Sequence, residues 1–155
     1  MALYNPEGEP SASTLAMVEA LESADGLLWS SPLYQGSVAG SFKNALDWLH
    51  LPSRSVFLTD KPIGLISVSG GTQGLQAINA MEFSVRALRG WAVPYVVPVP
   101  RAAFEEDRVV DPSVERQLKM LGSEVVRLAE HFTVHESPDH ATECARARDR
   151  VAAAV

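Results

Sequence analysis

The stretch from Trp29 to Leu49, WSSPLYQGSVAGSFKNALDWL, constrains the fold more than any other part of the chain. It passes from an apolar run through a proline- and glycine-shaped loop straight into a helical pattern. The run Gly26-Leu27-Leu28-Trp29 lacks polar alternation, as a strand buried on both faces of a parallel sheet requires. Ser30 to Gly36 reads as a loop: Pro32 fixes its own φ and turns Ser31 away from helical values, and Gly36 is free to take φ > 0. From Ser37 to His50 the residues Val38, Phe42, Ala45, Leu46 and Leu49 form an apolar stripe at helical spacing. A strand end, a shaped loop and a helix in direct succession mark the place where an open α/β sheet binds a ligand. The amide and carbonyl groups of a fixed loop suit a flat heteroaromatic ring, and Tyr34 offers a face on which it can stack.

The same alternation continues along the chain. Ser13 to Ser23 predicts a short helix with Leu15, Val18 and Leu21 on one side and Ser11 or Ser13 as N-cap. Pro62 to Val68 is a second continuous apolar strand, and Leu75 to Leu88 a helix. Tyr95 to Val99 is a third strand, placed at a sheet edge because Pro98 cannot donate to a ladder and Pro100 follows directly. Pro112 to Phe132 closes the pattern, with Val114, Leu118, Leu121, Val125, Leu128 and Phe132 at helical spacing. This βαβα order predicts an α/β fold with an open parallel sheet covered by helices on both faces. One domain is expected over residues 1–132, followed by a polar, flexible tail over 133–155 with a weak Ala/Arg helix.

Composition narrows the function classes. A chain of 155 residues with 46% hydrophobic content builds one core. Its net charge of -6 argues against a nucleic-acid partner, which would need a basic surface. The single cysteine, Cys144, excludes an internal disulfide and fits a reducing compartment. There is no apolar run of membrane-spanning length and no basic start followed by an apolar block, so a cytoplasmic protein without a membrane partner is expected. His131, His135, His140 and Cys144 follow no tetrahedral metal spacing. No Gly-x-Ser-x-Gly elbow supports a hydrolase. Lys43 and Asp47, four apart, read as an ion pair within the helix. Trp48 falls outside the apolar stripe, beside Ser41 and Asn44, and has two equal readings: contact with a second subunit, or packing under the loop from His50 to Asp60.

SPLYQGSVAGSFKNALDWL, together with Val68-Ser69-Gly70-Gly71-Thr72-Gln73-Gly74 after the second strand, resembles the paired signatures of the NADPH-dependent FMN reductase family, whose fold is flavodoxin-like. The resemblance extends from about Leu3 to Phe132. It implies an oxidoreductase in which NADPH gives a hydride to bound FMN, and the reduced flavin serves a small-molecule electron acceptor such as a second flavin, a quinone, an azo compound or a metal oxyanion. By the same resemblance Pro32, Leu33, Tyr34, Gln35 and Gly36 contact the ring, and Ser69, Gly70, Gly71 and Gly74 form the second flavin loop. No side chain need be a general acid or base, because the cofactor carries the chemistry. A homodimer or homotetramer is implied as well.

One departure qualifies that expectation. The family opens with a strand and a Gly-Ser-x-Arg-x-x-Ser type loop for the flavin phosphate, whereas Leu3 to Pro10 resembles the loop after the family's second strand. The chain therefore reads as N-terminally truncated by roughly 30 residues, one βαβ unit. About three strands of the order 2-1-3-4-5 would be kept, leaving the Leu27 to Ser30 strand with an open apolar edge. Backbone bonds to a flavin phosphate are worth roughly 1.5 to 3 kcal/mol each, so losing about three removes about 6 kcal/mol and turns a nanomolar site into one of tens of micromolar or weaker. The alternative function is a non-catalytic, flavodoxin-like assembly subunit with a vestigial flavin site.

Overall fold

The computed structural model describes residues 1–53 and 55–134. Its element order is α1 (Ala12–Ser23), β1 (Leu27–Tyr34), β2 (Ser37–Val38), α2 (Gly40–Asp47), β3 (Pro62–Ser69), α3 (Leu75–Ala87), β4 (Trp91–Pro100), a 3-10 turn (Arg101–Ala103), β5 (Phe104–Glu105), β6 (Arg108–Val109) and α4 (Pro112–Val134). The main sheet runs β2-β1-β3-β4. β1, β3 and β4 are parallel, in register from Leu27 opposite Ile63 to Pro32 opposite Val68, and from Pro62 opposite Trp91 to Ser69 opposite Pro100. β5 and β6 form a separate small hairpin.

Alternate side chains of the buried strands feed two cores, as a sheet covered on both faces demands. Trp29, Ile63 and Leu65 join Val18 of α1 and Ile78, Met81 and Val85 of α3 on one face. Val93, Val97 and Val99 meet Val114, Leu121 and Val125 of α4 on the other. The ends of the helices follow their capping residues. The Ser11 hydroxyl accepts from the Thr14 amide at the start of α1, and the Asp111 carboxylate accepts from the Ser113 amide at the start of α4. Lys43 and Asp47 form the expected ion pair.

Several boundaries differ from the sequence expectation. β1 does not stop at Ser30 but runs to Tyr34, because the φ that Pro32 imposes is also an extended-strand value. Ser37 and Val38 pair back on Tyr34 and Leu33 as the antiparallel strand β2, so the expected loop shrinks to Gln35 and Gly36, and the sheet has four strands rather than three. The helix expected from Ser37 to His50 is confined to Gly40–Asp47. β4 does lie at the edge, with Pro94, Pro98 and Pro100 along it. On the other side, β2 shields only Leu33 and Tyr34 of β1, and Leu28 is 54% exposed. α4 reaches Val134, two residues past the expected domain end; the tail beyond it, with His135, His140 and Cys144, lies outside the described residues.

Trp48 corrects the reading of an aromatic turned toward a second subunit. It is 2% exposed. Its indole N–H donates to the Ala2 carbonyl at 2.9 Å, and its ring meets Tyr4 edge-on at 5.2 Å. Asn44 holds the same segment from both sides, accepting from the Tyr4 amide at 2.7 Å and donating to the Ala2 carbonyl at 2.9 Å. Trp48 is the C-cap of α2, its backbone still helical and its amide bonded to the Asn44 carbonyl, and its side chain lies in the core, where residues 2–4 close over it.

Candidate functional site

Parallel pairing brings the carboxyl ends of β1 and β3 side by side, and with them the two turns singled out by sequence. The first is the hairpin turn Gln35-Gly36, with φ of 49° and 81°. Both central residues lie at positive φ, as a two-residue type I′ turn requires. Gly36 adopts this at little cost, whereas Gln35 bears backbone strain. The second is the loop Gly70 to Gly74, leading into α3. The loops touch: a Cβ built on Gly36 would lie 3.6 Å from Oε1 of Gln76, in the first turn of α3.

The nine residues named from sequence fall into three layers. Tyr34, at 63% exposure, forms an exposed rim with Gln35, Gly36, Gly70 and Gly71. Pro32 and Leu33 are half-buried beneath that rim. Ser69 and Gly74 are buried and hold the second loop from below. Nothing lies within 4 Å of a Cβ built on Gly70 or Gly71, so the space above them is open to a planar group.

Serines supply the ties, and only Ser69 among them was anticipated as part of the site. The Ser31 hydroxyl accepts from the Ala39 amide at 2.9 Å and donates to the Pro32 carbonyl at 3.0 Å, fastening the start of α2 to β1. Ser67 donates to the Gly74 carbonyl at 2.7 Å, and Ser69 to the Gly71 carbonyl at 2.7 Å. Ser31 and Ser67 are fully buried. Their sequence signal is a polar residue at period two in an otherwise apolar strand, a position that demands a fixed partner.

α2 and α3, which follow the two loops, start without a side-chain cap, unlike α1 and α4. Helix starts of this kind carry partial positive charge. No group of three or more potential metal-ligating side chains occurs among the described residues. Among the described residues, hydrogen bonds from Lys119 and Arg127 hold the exposed α4 carboxylates Glu115 and Glu124 below the usual range.

Asn-Gly is the dipeptide best suited to such a turn, so Gln35→Asn is expected to raise stability by about 0.5–1 kcal/mol and Gly36→Ala to lower it by about 1–2 kcal/mol. Urea midpoints of the two variants check the sign at each position.

Residues 1–104 match the model of the NADPH-dependent FMN reductase family. The chain is 37% identical over 90 residues to the NADPH-dependent FMN reductase ArsH of Acidithiobacillus ferrooxidans, covering 57% of this chain and 38% of that one. It is 36% identical over 99 residues to an NADPH azoreductase of a Bacillus species, covering 61% and 52%. Identity is 40% over 89 residues to the FMN-dependent NADPH-azoreductase of Staphylococcus aureus, covering 57% and 45%. The chain thus spans about half or less of the length of these relatives. Among solved structures, the flavoenzyme NAD(P)H:(acceptor) oxidoreductase FerB of Paracoccus denitrificans superposes with a TM-score of 0.65 at 23% identity, over 87% of this chain and 76% of that one. RosB, solved with a bound formylated riboflavin phosphate, superposes with a TM-score of 0.66 at 14% identity, over 91% and 61%. At these identities the likeness concerns the fold, which is flavodoxin-like.

Proposed function

The chain belongs to the NADPH-dependent FMN reductase family, and on that premise we propose that it takes part in NAD(P)H-dependent flavin reduction, with FMN seated over the two loops at the carboxyl ends of β1 and β3. The observation that carries this reading is the open space above Gly70 and Gly71 beside the exposed ring of Tyr34. A flat isoalloxazine fits between an aromatic face and a bare glycine backbone, and a side chain at either glycine would intrude on it. When bound, FMN supplies the chemistry: it accepts a hydride from NADPH and hands electrons to a small-molecule acceptor.

The chain's own residues bind and orient. Pro32 and Leu33 form the floor, and the hairpin turn at Gln35 and Gly36 fixes one edge. The loop of Ser69, Gly70, Gly71 and Gly74, tied by the Ser67 and Ser69 hydroxyls, presents backbone groups to the other edge. The uncapped starts of α2 and α3 favour negative charge as electron density builds on the ring. No side-chain acid or base is assigned.

A homodimer or homotetramer, as the family resemblance implies, belongs to the same proposal. A cytoplasmic setting is in keeping with the single cysteine. Among the described residues no helix is long and apolar enough to cross a membrane.

The test is a titration of the purified chain with FMN, followed by NADPH oxidation at 340 nm in the same sample. Saturable binding is expected, with the flavin fluorescence changed by stacking on Tyr34. A Tyr34→Ala variant is expected to bind about tenfold more weakly, in line with one lost aromatic contact. Saturable binding indifferent to Tyr34 and to the glycine loop would move the flavin elsewhere; no saturable binding at all would favour the assembly-subunit reading.

A further inference from the structure

We propose that Arg101 is a phosphoryl-binding residue: its guanidinium takes a phosphate group of a nucleotide in the open cavity of about 390 Å³ lined by Val68, Arg101, Phe104 and Glu106. The inference rests on the flavin-site reading for the class of ligand, and on the geometry below for the residue.

Register places Arg101 beside that site. Pro100 pairs with Ser69, so Arg101 is the next residue past the carboxyl end of β4, alongside the start of the Gly70 to Gly74 loop. Val68, which lines the same cavity, is held between Pro32 of β1 and Val99 of β4. The cavity therefore opens at the same end of the sheet as the two flavin loops.

Of the other described cations, Arg116 sits on α4 beside Glu115 and does not line the cavity, and the rest are engaged or badly placed. Lys43, Lys119 and Arg127 are paired with Asp47, Glu115 and Glu124. Lys61 donates to the Glu22 and Ala24 carbonyls at the opposite end of the sheet. Arg86 and Arg89 lie at the far end of α3, against Glu82 and Phe57 respectively. Arg108 faces Glu105 across the small hairpin. Arg101 is exposed and has no ion-pair partner among the described residues, although Glu106 lines the same cavity. A planar guanidinium can grip a phosphate through two parallel N–H bonds, and half-buried Phe104 beside it offers an apolar face to a base or a ribose.

Phosphate at this place could come from the flavin or from the dinucleotide, and paired probes distinguish the two. Binding of FMN is compared with riboflavin, and of adenosine 2′,5′-bisphosphate with 5′-AMP, by calorimetry at low salt on the full chain and on Arg101→Ala and Glu106→Gln. One of the phosphate-bearing probes is expected to bind about tenfold or more weakly to Arg101→Ala and more tightly to Glu106→Gln, its partner lacking that phosphate being unaffected. A loss confined to FMN assigns the flavin phosphate; a loss confined to the bisphosphate assigns the 2′-phosphate of NADPH. Equal effects on both members of each pair, or none, overturn the assignment. Bisphosphate binding that depends on Arg101 while neither flavin binds would retain Arg101 and refute the flavin reading.

Discussion

Trp48→Ala is expected to lower stability by about 3–5 kcal/mol, the cost of emptying a buried tryptophan site. The side chain is 2% exposed and belongs to the core that also contains Leu49, Leu51, Val56 and Leu58. Its loss opens a cavity, removes the edge-on contact with Tyr4 and frees the Ala2 carbonyl from the indole N–H. Residues 2–4, held otherwise by Asn44 and by the Tyr4 hydroxyl on the His50 carbonyl, then lose their largest contact. Thermal unfolding reads the effect as a drop in Tm of about 10 °C or more. Trp48→Phe keeps an aromatic ring but loses the hydrogen bond and part of the packed volume, so it should cost less than Trp48→Ala. A Trp48→Ala variant with unchanged Tm would place this tryptophan outside the core.

Gly74→Ala is expected to disrupt the loop from Gly70 to Gly74. A Cβ there would lie 2.9 Å from the Ser67 hydroxyl oxygen, 3.2 Å from Cβ of Pro98 and 3.2 Å from the Ser69 hydroxyl oxygen. β3 and β4 are central to both cores and cannot yield, so the displacement falls on the loop and breaks the bond from Ser67 to the Gly74 carbonyl. Overpacking of this kind costs about 1–3 kcal/mol. With FMN seated as proposed, its affinity should fall about tenfold or more, since the ring would lose a backbone edge. Ser67→Ala removes the same tie without the clash and should weaken FMN in the same direction, by less. Full FMN affinity in a folded Gly74→Ala protein would show that the ring does not depend on this loop.

The legibility of the site followed the range of the interactions involved. Gly36 and the Gly70 to Gly74 segment were visible because a turn dictates its own residue types over a few positions. Gln35 at positive φ was not, since glutamine carries no preference for that region and is held there by the pairing of Leu33 with Val38 and Tyr34 with Ser37. In the sequence Ser31 reads as a plain loop residue and Ser67 as an ordinary strand residue. Their hydroxyls gain meaning only when Ala39 and Gly74, eight and seven residues away, fold back onto them.

What the sequence by itself determined is the alternation of apolar strands and amphipathic helices, the two loops at strand ends, and the edge position of β4, because these depend on burial periodicity and on the dihedral limits of proline and glycine. The tertiary structure decided the rest. The extension of β1 through Pro32 and the strand β2 needed partners to pair with. The burial of Trp48 turned on a segment more than 40 residues earlier, whose three residues have no periodicity to read. The position of Arg101 beside the Gly70 to Gly74 loop, on which its proposed role rests, came from the sheet register. A local pattern reports how a contiguous segment prefers to bend and which side it buries; which distant residue lies against that side is fixed only when the elements pack.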